Sequence, residues 1–207
     1  MDSHHWHQHA HAAGAPSPAP EPWTATRLAR SDPGERQEYA ATVRRHLRST
    51  SLYSPKHDQL SKELDLTLVE VEDEPPGART IISVSAPFAV GKSTLIKQWG
   101  ASHYRRWTPA PTPGALPERA DSTGTRYDFV PIIYVTLMAR SKAKDLHGAI
   151  LTFLGYPSRG TISEITLRTT TALRNHHVRL IIVDDAHMLH TSSVTGRETL
   201  DALKQIN

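Results

Sequence analysis

The stretch Ala86-Pro87-Phe88-Ala89-Val90-Gly91-Lys92-Ser93-Thr94 decides the fold. It follows the pattern G-x-x-x-x-G-K-[ST], with alanine at the first glycine. In that pattern the backbone amides of a loop and of the helix it opens point at a phosphate, and the helix dipole favours the negative charge there. Gly91 lets the backbone curl closely around the phosphate. Lys92 reaches the β/γ oxygens, and the Ser93 hydroxyl ligates Mg²⁺. If position 86 requires a positive φ, alanine costs on the order of 1 kcal/mol and weakens binding without abolishing it.

A bare Gly-Lys-Ser tripeptide is a weak signal, so the flanking sequence matters. Thr80–Ser85 is a short β-branched run that predicts a buried strand. From Gly91 onward a helix is predicted, with Leu95, Ile96 and Trp99 as its apolar face. A strand, a phosphate loop and a helix in that order give the motif its context.

The second half of the site comes much later. Leu180-Ile181-Ile182-Val183 is an apolar strand that runs into Asp184-Asp185. A lone acid pair after a strand is often only a helix cap or turn. With Lys92 and Ser93 upstream on the same sheet edge, Asp184 is predicted to hold the Mg²⁺ shell and Asp185 to orient or deprotonate an attacking water. ATPases of this type usually place glutamate at the second position. A base misplaced by about 1 Å can cost on the order of a hundredfold in rate, so slow turnover is expected. His187 and His190 follow; sensing the γ-phosphate and an ordinary loop role both remain open. No Asn-Lys-x-Asp guanine reader is found, which favours adenine and ATP.

Outward from these two motifs the chain alternates helix and strand. Glu35–Arg48 is helix-friendly, with Arg44, Arg45 and Arg48 as a basic patch that reads as a solvated face. Leu60, Leu64, Leu68 and Val71 recur at helical spacing, although the last turn partly alternates like a strand. Pro75-Pro76-Gly77 ends that segment. Residues 108–126, rich in proline and glycine, predict a loop. Phe129–Leu137 predicts a second strand, with Pro131 near its start. Ser141 is placed as the cap of a helix bearing Leu146, Ile150, Phe153 and Leu154 and ended by Gly155. Thr161 with Glu164, and Thr195 with Glu198, form capping-box patterns for two further helices.

This alternation predicts an α/β protein with a mostly parallel sheet covered on both faces, whose strand ends share one ligand-binding edge; with the phosphate loop it resembles the three-layer α/β/α P-loop NTPases of the AAA+/ASCE type. The expected organisation is a disordered His/Pro/Ala-rich leader over 1–34, a helical segment over 35–77 and a partial ATPase domain over 78–207. His4, His5, His7, His9 and His11 in the leader fix no ligand geometry and read as a flexible tail that takes up metal only incidentally.

Composition narrows the classes. Hydrophobic residues make up 38% of the 207, below the usual globular range of about 45–50%, with part of the shortfall in the leader. The net charge of +3, from 24 Lys and Arg against 21 Asp and Glu, permits nucleic-acid contact without demanding it. The absence of cysteine excludes disulfides, Cys-zinc sites and thiol catalysis. No run of apolar residues is long enough to span a membrane, and histidines stand where a signal peptide needs an apolar stretch. A cytoplasmic protein is the default expectation.

Taken together, the Ala86–Thr94 loop, Val130–Val135, the helix ending at Leu154-Gly155, and Ile181–Leu189 (I-I-V-D-D-A-H-M-L) resemble the AAA+ transposition ATPases of the TniB/TnsC type and the wider Orc-like AAA group. The resemblance runs from about Glu35 to Asn207. It implies an ATP-dependent protein that assembles as a homo-oligomer on DNA and recruits a transposase. Arg105 and Arg106 beside Trp107 could meet DNA or could be solvated surface. Members of that family continue into a fourth strand lying between the first and third, a fifth strand, an arginine finger and a helical lid. This sequence stops before them, and the expectation is a C-terminally truncated product or a partner that supplies the missing strands. A nucleotide-binding scaffold without useful hydrolysis and a P-loop phosphotransferase on a small molecule remain as alternatives.

Overall fold

The structure is a computed structural model and describes residues 1–12, 18–50, 54–72, 81–87, 90–109, 115–138 and 141–186. Helices α1 (Ser3–Ala12), α2 (Ala25–Arg30), α3 (Pro33–Ser49), α4 (Pro55–Glu72) and α5 (Lys92–Trp107) precede a short hairpin of β1 (Glu118–Ala120) and β2 (Arg126–Asp128). Then come β3 (Ile132–Thr136), α6 (Ala143–Phe153), α7 (Ile162–Asn175) and β4 (Leu180–Asp184). The architecture is mixed α/β, with one antiparallel and one parallel strand pair among the described residues.

The parallel pair is the centre. β3 and β4 run in register from Ile132 opposite Leu180 to Thr136 opposite Asp184. Ile132, Ile133, Tyr134 and Val135 are all buried, the continuous apolar run that a parallel strand covered on both faces requires. The Pro131 carbonyl accepts from the amides of Arg179 and Leu180, and the proline itself stands just before the first strand residue, where a missing N–H is tolerated. The connection from β3 to β4 passes through α6 and α7. Leu146, Ile150, Leu151 and Phe153 of α6 and Ile165, Ala172 and Leu173 of α7 share one core with both strands. Each of those leucine, isoleucine and phenylalanine side chains contributes roughly 1.5–3 kcal/mol on full burial.

The helix ends follow local chemistry. The Thr161 hydroxyl accepts from the Glu164 amide, and the Glu164 carboxylate accepts from the Thr161 amide, satisfying orphan donors at both positions. Gly155 takes φ 82° just past α6, the left-handed geometry that ends a helix and that a Cβ disfavours. Ser141 does not cap α6. Its hydroxyl donates to the Met138 carbonyl, and Lys142 is the cap residue, its amide donating to Asp145. α4 stays helical through Glu72, and Leu64 and Leu68 bury against Trp99 of α5. Asp65 fixes that contact by accepting from Trp99 Nε1 at 2.7 Å and lying 2.8 Å from His103 Nε2.

Three further expectations are corrected. The first is the disordered leader. α1 is a packed helix whose Trp6 is 0% exposed, stacked on Tyr134 at 5.3 Å and 9°. Its Trp6, His7 and Ala10 are buried on one helical face, and that face outweighs the polar composition. α2 and the start of α3 also fall inside the predicted leader; α3 begins with an Asp32/Glu35 capping box and Pro33 in its first turn. The second is the strand over Thr80–Ser85. Thr80 lies outside the described residues, and residues 81–87 form no strand. Ile81 and Ile82 are exposed, because among the described residues no strand neighbours them to complete a ladder. Val84 packs instead toward Leu64, Leu68 and Trp99. The third is the loop over 108–126, which contains strand β1 and, with β2, forms a hairpin. Asp121 there accepts from the amides of Thr123 and Thr125, and Gly124 turns at φ 84°. Pro75-Pro76-Gly77 and the Thr195/Glu198 capping box lie outside the described residues.

Candidate functional site

Two elements built far apart in sequence meet at one point. Gly91, at φ 87° and ψ 17°, stands immediately before α5, so Lys92 and Ser93 occupy the helix's first turn. β4 delivers Asp184 at its C-terminal end. The Ser93 hydroxyl donates to Asp184 Oδ1 at 3.0 Å. The fold therefore brings the first turn of α5 and the C-terminal end of β4 together at Ser93 and Asp184.

Around that pair the carboxylate is held from several sides. The Tyr134 hydroxyl of β3 donates to Asp184 Oδ2, and the Asp185 amide donates to Asp184 Oδ1 at 2.9 Å. Burial alone pushes the Asp184 carboxyl upward. The hydrogen bonds from Tyr134, Ser93 and the Asp185 amide, with the charge of Lys97, outweigh it and hold the group below its usual value. Burial and the neighbouring Asp184 in turn push the Tyr134 phenol up, so it remains a donor. Lys97 Nζ lies over the Tyr134 ring, 5.0 Å from its centroid.

Lys92 reaches back rather than outward. Its Nζ donates to the carbonyls of Ala86 and Pro87, at 2.7 Å each. Ala86 has no positive φ, a conformation that among the described non-glycine residues only His177 and Asp185 adopt. Alanine in place of glycine therefore carries no left-handed strain at position 86. Val90 and Thr94 are exposed. Phe88, Ala89, His187 and His190 lie outside the described residues. Asp185 follows Asp184 at φ 57°, a left-handed turn that costs roughly 1–2 kcal/mol in a non-glycine residue and that clusters at functional sites.

The donor set suits a hard cation. A serine hydroxyl and an ionised carboxylate oxygen within 3.0 Å of each other are the oxygen ligands that magnesium takes beside phosphate oxygens. Among the described residues no group of three or more His, Asp or Glu side chains could hold a metal on its own; a phosphate-bearing ligand would have to complete the shell. Two histidines of α1 pack against α5 and the residue that follows it. His7 Nδ1 lies 3.1 Å from the Tyr104 hydroxyl and His11 Nε2 3.2 Å from Thr108 Oγ1, so both are occupied in packing.

Sequence reasoning missed Tyr134 and Lys97. The signal for Tyr134 was a hydroxyl in an otherwise apolar strand, next to the strand that ends in the acids. Lys97 gave none, because a lysine on a helix is ordinary until the strand across from it is placed. Arg105 is not a free basic group: its guanidinium donates to the Ala10 carbonyl. Arg106 is exposed, and the ring of Trp107 is covered by Arg179 at 5.1 Å.

The model of the bacterial TniB protein family matches residues 56–207, a span that holds the loop, both parallel strands and the acid pair. This chain belongs to the TniB family. Membership makes it a transposition-associated protein. A comparison with curated proteins found no match. Residues 1–55, including α1, α2 and α3, lie ahead of the matched span. Among the described residues no helix is long and apolar enough to cross a membrane.

Proposed function

We propose that this TniB-family protein is an ATP-binding, weakly hydrolysing helper of DNA transposition, with residues 86–94 as the phosphate loop. The observation that carries the reading is the 3.0 Å contact between Ser93 and Asp184, which joins the two halves of a magnesium–triphosphate site. In this reading the parallel pair belongs to a three-layer P-loop sheet. Residues 78–207 form the nucleotide-binding unit behind a helical segment over 35–77, and the protein works in the cytoplasm.

The roles divide by chemistry. Amides around Gly91 and the first turn of α5 bind phosphate oxygens. Lys92 leaves the carbonyls of Ala86 and Pro87 and turns its ammonium to the β/γ oxygens. Ser93 and Asp184 hold magnesium, which neutralises charge on those oxygens. Tyr134 fixes the Asp184 carboxylate, and Asp185 orients or deprotonates the water. Asp185 is one methylene shorter than the usual glutamate and sits in a left-handed turn, which supports slow turnover and keeps a binding scaffold as the second reading. Partners on this reading are duplex DNA, a transposase and further copies of the chain.

Titration with mant-ATP and magnesium tests the site, and phosphate release with and without duplex DNA tests the activity. Saturable binding abolished by Lys92→Ala, with release stimulated by DNA, is the expected result. Binding without release selects the scaffold. Wild-type binding retained in Lys92→Ala and Asp184→Ala together overturns the site.

A further inference from the structure

We propose that His57 is a further phosphate-binding residue, its imidazole carried against the loop by α4 and its Nε2–H directed at the nucleotide's phosphates. The proposal rests on the nucleotide site described above. A Cβ placed on Gly91 would lie 3.7 Å from His57 Nε2 and 3.8 Å from Cε1. The edge of the ring therefore borders the glycine whose surroundings must approach the phosphate. The opposite edge is taken. The Ser54 amide donates to Nδ1 at 3.4 Å, and the His57 amide donates to Ser54 Oγ at 3.3 Å.

An Nδ1 that accepts from an amide cannot carry a proton, so the neutral ring holds its hydrogen on Nε2. The donor thus faces the loop, not the helix that bears it. The ring's position is fixed as well. α4 is locked to α5 through Leu64, Leu68 and Trp99 and through Asp65 with Trp99 and His103. A half-buried imidazole tied to Ser54 on a helix that is packed against α5 is a preorganised donor, suited to an anion with several acceptor oxygens. The ligand class is the polyphosphate of a nucleoside di- or triphosphate, not the base.

The test compares His57→Ala, His57→Gln and wild type in binding of mant-ATP, with displacement by inorganic tripolyphosphate, which has no base. Loss of one charge-assisted hydrogen bond weakens both ligands in His57→Ala by about tenfold or more, and glutamine, which keeps a donor, recovers part of it. Unchanged affinity in His57→Ala with Lys92→Ala dead overturns the role of His57 and leaves the site intact. No effect of either substitution overturns the site itself. A loss confined to mant-ATP, with tripolyphosphate unaffected, assigns His57 to the base and overturns the phosphate contact. Should His57→Ala fold poorly, long-range ¹H–¹⁵N correlation on ¹⁵N-histidine-labelled full chain decides: Nε2 protonated and shifted by magnesium tripolyphosphate is the expected result, and Nδ1 protonation or an unmoved Nε2 signal overturns it.

Discussion

Asp184 is tied to three donors, from Ser93, Tyr134 and the Asp185 amide, and the two side-chain ties can each be cut alone. Tyr134→Phe keeps the ring that packs under Trp6 and removes only the hydroxyl. A half-buried carboxylate oxygen then loses its partner, which costs about 1–3 kcal/mol, to be read as a drop in denaturant midpoint with an unchanged m-value. The sign of the accompanying pH effect is fixed by the lowered native pKa of Asp184. Its contribution is present above the unfolded carboxylate value of about 3.9 and is lost as pH falls through the native value. Tyr134→Phe narrows that acid window, and a wild-type acid limb in the variant would refute the tie. Ser93 and Asp184 were legible in sequence because each stands in a spaced pattern. Tyr134 was not, since its role depends on the register that sets β3 beside β4.

Among the elements, α1 departs furthest from its composition. Its indole is enclosed by Tyr104 and Tyr134, while its Nε1 and the Nε2 of His7 are buried without a partner among the described residues. Docking of α1 therefore depends on apolar burial more than on hydrogen bonding. Trp6→Ala should cost roughly 3–5 kcal/mol if α1 unfolds with the core, whereas protease sensitivity confined to the first residues with an unchanged melt would show that α1 docks separately. Burial pushes the His7, His9 and His11 imidazoles down, helped by His11 and His4 at His7, by Lys97 and Arg105 at His9, and by Arg105 at His11. Tyr104 and Thr108 face the same rings, and Asp2 is engaged with His5. A histidine with a lowered folded value stabilises the docked form above that value, and the stability declines as pH falls below the unfolded value of about 6.5. Between pH 7 and 5 the buried indole of Trp6 should become accessible to an added quencher in wild type and stay protected when His7, His9 and His11 are replaced by Gln. Elements with paired signals were readable: α7 from Thr161 and Glu164, β3 and β4 from unbroken apolar runs. The described part of the predicted first strand, residues 81–85, forms no strand because strand content depends on a neighbour, which no local run encodes. The leader failed because a composition average hides a short stripe of buried residues.

At the scale of the molecule, the candidate site joins the first turn of α5 to the last residue of β4, two elements whose shared core also includes β3 and α6. A ligand bridging them would bind the folded chain and not the unfolded one, so its effect is a stability increment set by mass action. With magnesium and ATP at about a hundredfold excess over Kd the increment is about 2.7 kcal/mol. For a chain of this length that corresponds to a rise in Tm of roughly 5–10 °C. Removing magnesium with EDTA should take away most of the rise, because Ser93 and Asp184 then face the triphosphate without the cation between them and the carboxylate repels it. Lys92→Ala should remove the rise in both conditions, and Asp184→Asn should make it insensitive to EDTA by taking away the repelling charge as well as the ligand. An ATP-induced rise that survives EDTA unchanged in the wild type would mean that the nucleotide binds without the Ser93–Asp184 pair. The close contact between the two residues would then be a structural hydrogen bond of the core, and the magnesium site would have to be abandoned.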